Sequence, residues 1–179
     1  SPKCKTTLES LDKADYFDLI DAYETNYKFG NARLVGYLTK ILGLESRPKI
    51  IYKPKGEKDA QTCAYYDPDD NSIVFIYEPG RSKKGNHKDA NTTAHEVWHA
   101  YQEQCARNGS SDRDYLYDAN SRHYVELGKD YSAQLVEREA IWFGNQIEDR
   151  MQAAAAEKED IVTKFRRLKS FDRRHGIKN

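Results

Sequence analysis

His95-Glu96-Val97-Trp98-His99 sets two imidazoles four residues apart, with a carboxylate beside the first. Four residues of helix turn the chain by about 400°, so His95 and His99 stack on one face. Both rings can then reach one metal ion. Glu96, one position on, points beside that ion and is placed to take a proton from a water bound to it. Ala94, Val97 or Trp98, Tyr101 and Cys105 fall on the opposite side as an apolar stripe. One helix would thus carry a metal face and a core face. The alternative is two exposed histidines on an ordinary amphipathic helix.

Two histidines do not complete a site. A catalytic zinc takes three protein ligands and keeps a position open. Six residues past His99 the chain has Cys105, nearly opposite the metal face, and a downstream Gly-Thr followed by Asp is absent. A carboxylate on a second helix is left. Residues 131–144 offer Glu137 and Glu139, which differ by about 200° in direction, so only one can face the ion. Ala133 and Ala140, one turn either side of Glu137, would let two helices approach closely, and this favours Glu137, 38 residues after His99. The reaction also needs a donor for a developing oxyanion. Tyr131, Tyr124 and His123 lie between the two ligand helices, and Tyr131 is the preferred candidate. Gln102, Gln134, Glu139 and Asp118 are candidates to orient the zinc-bound imidazoles.

These residues need elements to hold them. Residues 8–29 and 31–42 read as helices, the second closed by Gly43 at a C′ position. Ile50-Ile51-Tyr52 reads as a strand. Residues 63–66 and 73–77 flank a Pro/Asp/Asn cluster at 67–72 and read as a hairpin. Residues 78–90 read as a flexible basic loop. The histidine helix is expected from an Asn91 N-cap to about Asn108, with Gly109 after it. Residues 109–129 look irregular. Asp130 could cap a further helix from Tyr131 through Gly144 to about Leu168. Residues 62–66 or 73–77 could pair with an extended substrate as an edge strand.

The whole is expected to be one α+β domain over residues 1–179. N-terminal helices occupy 1–45 and a small, mostly antiparallel sheet of about three strands occupies 46–80. The active-site helix spans 91–108, and the glutamate and C-terminal helices span 130–170. The 29 Lys+Arg balance 29 Asp+Glu, which disfavours a global polyanion binder. The longest apolar run is about five residues, far short of a membrane span. No signal peptide is read in residues 1–10. The expected location is the cytoplasm, or outside the cell as a translocated effector. Cys4, Cys63 and Cys105 cannot all pair internally. Residues 164–178 carry seven Lys/Arg against one Asp, with Ile161, Phe165, Leu168 and Phe171 at helical spacing. They are expected to dock on the body with a solvated basic face, the alternative being contact with a partner. His87 and His175 read as exposed.

The pattern resembles the zincin metallopeptidases of the glutamate-liganded (gluzincin) branch. Thermolysin-like enzymes carry the third ligand in Glu-Ala-x-x-x-x-Phe-Gly, and here Glu137 to Phe143-Gly144 keeps the Glu-to-Phe-Gly distance. The chain is closer in pattern to the small zincins typified by the ImmA/IrrE group and related phage, mobile-element and toxin-associated domains. Their order of helix, strand, Tyr-rich hairpin, His-Glu-x-x-His helix and Glu-x-x-Ala-x-x-Phe-Gly/Ala matches residues 31–43, 48–53, 62–77, 91–107 and 131–144. The resemblance implies a zincin-like fold with His95, His99 and Glu137 as ligands of Zn2+ and Glu96 as general base. It implies hydrolysis of a peptide bond in a protein substrate, in a regulatory, toxin or mobile-element setting. The competing expectation is a zincin-shaped module that holds metal and binds partners with little proteolytic activity. Intact Glu96 favours the enzyme.

Overall fold

A computed structural model describes residues 9–59, 61–109, 112–124, 131–132 and 134–176. Two helices lie ahead of the sheet in the described residues, α1 (Lys13–Thr25) and α2 (Tyr27–Leu42). Residues 8–29 are therefore not one helix. The chain turns at Asn26, which is extended at φ −163° and whose side chain caps α2 by accepting from Lys28 N. A side-chain acceptor replaces the backbone bond that would have continued α1, which is how Asn competes with helix propagation. Gly43 closes α2 in the left-handed region at φ 65°. Leu34, Val35, Leu38 and Leu42 bury the inner face of α2.

The strands are β1 (Lys49–Pro54), β2 (Ala64–Asp67) and β3 (Ser72–Tyr77), in the order β1-β3-β2. The hairpin β2–β3 is antiparallel, as expected, with Asn71 in its turn at φ 53°. β1 pairs with β3 in parallel, Ile50 beside Ile73 and Tyr52 beside Phe75. The sheet is thus mixed rather than mostly antiparallel. The physical reason is the strand order: β1 ends and β2 begins at the same end of the sheet, on opposite sides of β3. β1 therefore runs antiparallel to β2 and parallel to β3. Tyr52 stacks on Phe75 with ring centroids 5.4 Å apart, which holds the parallel register.

The histidine helix, α3 (His87–Asn108), starts one turn earlier than expected. Asn86 is the N-cap and forms a capping box with Asp89. The segment before it is pinned rather than loose. Tyr27 N donates to Lys83 O at 2.7 Å and Gly85 N to Tyr23 O at 2.8 Å. A Cβ at Gly85 would lie 2.7 Å from Tyr27 Cβ, so only glycine lets the segment this close. Arg81 forks onto Asp89 and lies over the Tyr27 ring at 3.7 Å. Gly109 ends α3 at φ 56°.

Residues expected to be irregular contain α4 (Asp112–Arg122). The last helix, α5 (Leu135–Arg174), begins at Leu135, not Tyr131, and its N-cap Gln134 makes no side-chain cap bond. Asn120 of α4 serves instead, its Oδ1 accepting from Val136 N at 3.1 Å. Asp130, Ala133 and Cys4 lie outside the described residues. α5 packs on α3 through Ala140, Phe143, Gly144 and Ile147, with Phe143 4.7 Å from the Trp98 ring. A Cβ at Gly144 would fall 2.9 Å from Asn91 O, so this glycine is where the two backbones approach. The same core cluster takes in α1, α2, β3 and α3. Among the described residues no helix is long and apolar enough to cross a membrane.

Asn91, expected as a cap, instead faces α5, donating to Asn145 Oδ1 and Glu148 Oε2. His87 Nδ1 lies 2.9 Å from Glu148 Oε1, so His87 is not a free surface histidine. Burial tends to raise the Glu148 pKa, but the Asn91 hydrogen bond and His87 outweigh it and the net shift is downward. A carboxylate depressed in the fold stabilises it above its unfolded pKa, and that stabilisation is lost as pH falls through the folded value. Thermal stability should therefore decline as pH drops below the ordinary value of 4.5. Glu148→Gln should flatten that acid limb in a series of melting curves.

Candidate metal centre

Two turns of α3 and one of α5 meet at the site. His95 and His99 project from α3, and Glu137 from the first turn of α5, 1% exposed between them. His99 Nε2 is 3.0 Å from His95 Nε2, His95 Nε2 is 3.2 Å from Glu137 Oε2, and His99 Nε2 is 3.3 Å from Glu137 Oε1. These side chains could hold a metal ion. The spacing has a simple reading: donors bonded at 2.0–2.1 Å to one tetrahedral ion sit about 3.3 Å from each other.

The chemistry of the donors fits a cation too. Gln102 is buried, and its Nε2 donates to Val136 O at 3.0 Å and Glu139 Oε1 at 3.2 Å. Its Oε1 is therefore the acceptor facing His99 Nδ1 at 2.9 Å. That assigns the ring proton to Nδ1 and leaves Nε2 a bare lone pair. Lone pairs and a carboxylate thus converge, and Glu137 Oε2 is buried without a hydrogen bond of good geometry. Such a cluster calls for positive charge. The electrostatics agree. Burial works against charge on His99, yet Glu137 and Glu96 raise its pKa. Burial alone would raise the Glu137 carboxyl, but His95, His99 and the Tyr124 hydroxyl hold it far below the usual carboxylate range.

Glu96 is 6% exposed, with Oε1 3.9 Å from His95 Nε2. It stands beside the cluster and outside the three-donor set, as its position on the helix requires. Glu139 points away and bonds Gln102, so it acts on His99 only through that amide. Of the tyrosines, Tyr124 makes the direct contact: its hydroxyl donates to Glu137 Oε1 at 2.5 Å. Tyr131 packs edge-on against Tyr124 at 6.2 Å, and Tyr124, Glu137 and Glu96 act on its hydroxyl. His123 is exposed at the end of α4. Of the candidates to orient the imidazoles, Gln102 bonds His99. Gln134 joins Asn120 and the Tyr131 carbonyl, and Asp118 pairs with Arg122. Asn120 has no sequence signal, since an Asn in a polar helix looks like any other.

The sheet supplies a wall. β3 is central, so of the two hairpin strands β2 is the edge. β2 lies against α3, and the Tyr66 hydroxyl is within electrostatic reach of Glu103 and Arg107 near the far end of α3. At the other end of β2, Cys63 helps line a cavity of about 460 Å³, with Asn31, Tyr77, Lys88 and Thr92. Lys88, Thr92, His95, Glu96 and His99 share one face of α3. The cavity therefore continues the same face toward the basic segment 81–88. Comparison with protein-family models, with curated proteins and with solved structures returned no match.

The hydrogen bond from His99 to Gln102 gives a direct test. Gln102→Leu keeps the volume and removes the acceptor. Losing a partner of this kind costs about 10–100-fold in metal affinity. Competition with a chromophoric chelator should show a drop in that range, with helix content unchanged by circular dichroism.

Proposed function

We propose that the chain is a zinc-dependent metalloendopeptidase. The observation that carries this reading is the mutual spacing of His95, His99 and buried Glu137, with the Glu96 carboxylate alongside and outside the ligand set. Two imidazoles and a carboxylate are the donors zinc takes in hydrolytic sites. When bound, the ion supplies Lewis acidity, polarising a carbonyl and acidifying a water.

The chain's own residues do the rest. Glu96 removes a proton from the attacking water as its oxygen bonds the peptide carbonyl carbon. Glu96 then delivers that proton to the nitrogen as the C–N bond breaks. The Tyr124 proton is given to Glu137, so the neighbouring Tyr131 hydroxyl is the donor for the developing oxyanion. An extended protein segment adds to the free side of β2, and backbone hydrogen bonds hold it in register. The basic residues Lys83, Lys84 and Lys88 favour acidic side chains at the cavity end of that strand.

The test is dependence on metal. Protein stripped with chelator and restored with zinc should cleave members of a peptide library by mass spectrometry, and stripped protein should not. At a thousand times the dissociation constant, zinc adds about 4 kcal/mol to stability. For a chain of this size that raises the melting temperature by roughly 10 °C. Zinc binding with that shift, but no cleavage, would favour the interaction module. No shift would remove the metal site itself.

A further inference from the structure

α5 continues past the body. Its last contacts with α1 are the ion pairs Lys13–Glu157 and Asp21–Lys158. Beyond them the expected docking fails: Ile161, Phe165 and Leu168 are 50%, 58% and 63% exposed. About 22 Å of helix, residues 160–174, projects with its apolar side uncovered.

That side is not random. Ala140, Ile147, Met151 and Ala154 are buried against the body. The same alternation of three and four residues runs on through Lys158 to Ile161, Phe165 and Leu168. This is the spacing of a seam between packed helices. In the body α3 and α1 fill it. In the tail nothing among the described residues does. Lys164 and Lys169 flank the seam on its two sides, Lys164 also pairing with Asp160 of its own helix, and residues 160–174 hold six cations against Asp160 and Asp172.

We infer that the tail of α5 is the docking site for an amphipathic helix of a partner protein whose flanking positions are acidic. Charge selects this occupant. A second copy of the chain, parallel or antiparallel, would bring Lys164 or Lys169 against a lysine of its twin, and like charges at such flanks repel. A nucleic acid would leave Ile161, Phe165 and Leu168 in water. A flat lipid surface is obstructed, because the uncovered side is the side on which the body lies. Residues 1–8 bring Lys3 and Lys5 and a single large aliphatic residue, Leu8, so they match neither the charge nor the seam.

A labelled three-heptad peptide with leucine at its core positions and glutamate at its flanks probes the site, beside a control with lysine at the flanks. Fluorescence anisotropy with the full chain should show the glutamate peptide binding at least about tenfold more tightly, and weakening as salt rises. The double variant Phe165→Asp, Leu168→Asp should lose that binding about tenfold or more. Both side chains are solvent-exposed, so its melting temperature and bound zinc should stay unchanged. Equal binding of the two peptides would overturn the inference. So would concentration-dependent dimers in sedimentation velocity that the double variant abolishes. Binding to phosphatidylglycerol vesicles that the glutamate peptide does not displace would also overturn it.

Discussion

Glu137→Gln should strip the metal while leaving the fold in place. The carboxylate is 1% exposed and lies 3.2 and 3.3 Å from the two imidazoles. An amide of the same size fills the volume, keeps an acceptor for the Tyr124 hydroxyl and removes the charge that makes it a good ligand. Losing a partner one step removed from an ion costs about 10–100-fold, so losing a direct ligand should exceed 100-fold in affinity. Elemental mass spectrometry should find about one zinc per chain in the parent and little in the variant. Glu139→Ala is the counter-test. Its carboxylate meets Gln102 and not the imidazoles, so zinc should stay. A depleted Glu139→Ala beside a loaded Glu137→Gln would reverse the ligand assignment.

Glu96→Gln should do the opposite, holding zinc and losing turnover. The Glu96 oxygen is 3.9 Å from His95 Nε2, too far to serve as the third donor and near enough to reach a water between them. An amide cannot accept the proton. General base catalysis contributes about 10²–10⁴-fold, so kcat should fall by about that factor with zinc content unchanged. Activity within tenfold of the parent would assign the proton transfer elsewhere.

The sequence carried the parts of this site that depend on local spacing. The pair four residues apart had to share a helix face, and Glu137 rather than Glu139 approaches it, as the small neighbour Ala140 suggested. Gly43 and Gly109 end their helices because a left-handed C′ residue is a local requirement. What depends on distant partners was not legible. Asn86 and Asn91 look alike as caps, and the choice is made by Asp89 on one side and by Glu148 of α5 on the other. The break at Asn26 hides in an apolar pattern that runs through it, since Tyr23 and Tyr27 both face the core. β1 pairs with β3 across a hairpin, and no local feature of Ile50-Ile51-Tyr52 says so. Read from the sequence, Tyr131 is preferred to Tyr124, and only the approach of α4 to α5 puts the Tyr124 hydroxyl on Glu137.

The contact of Gly144 with Asn91 makes α5 a beam resting on a fulcrum. Glu137 sits two turns to one side, about 10 Å along the axis. Phe165 sits about 32 Å to the other, so the arms stand at roughly three to one. Tilting α5 by about 5° would carry Glu137 nearly 1 Å, several times the ±0.2 Å that metal–ligand distances allow. The same tilt would swing Phe165 by nearly 3 Å, so whatever grips the far arm has leverage on the carboxylate at the near one.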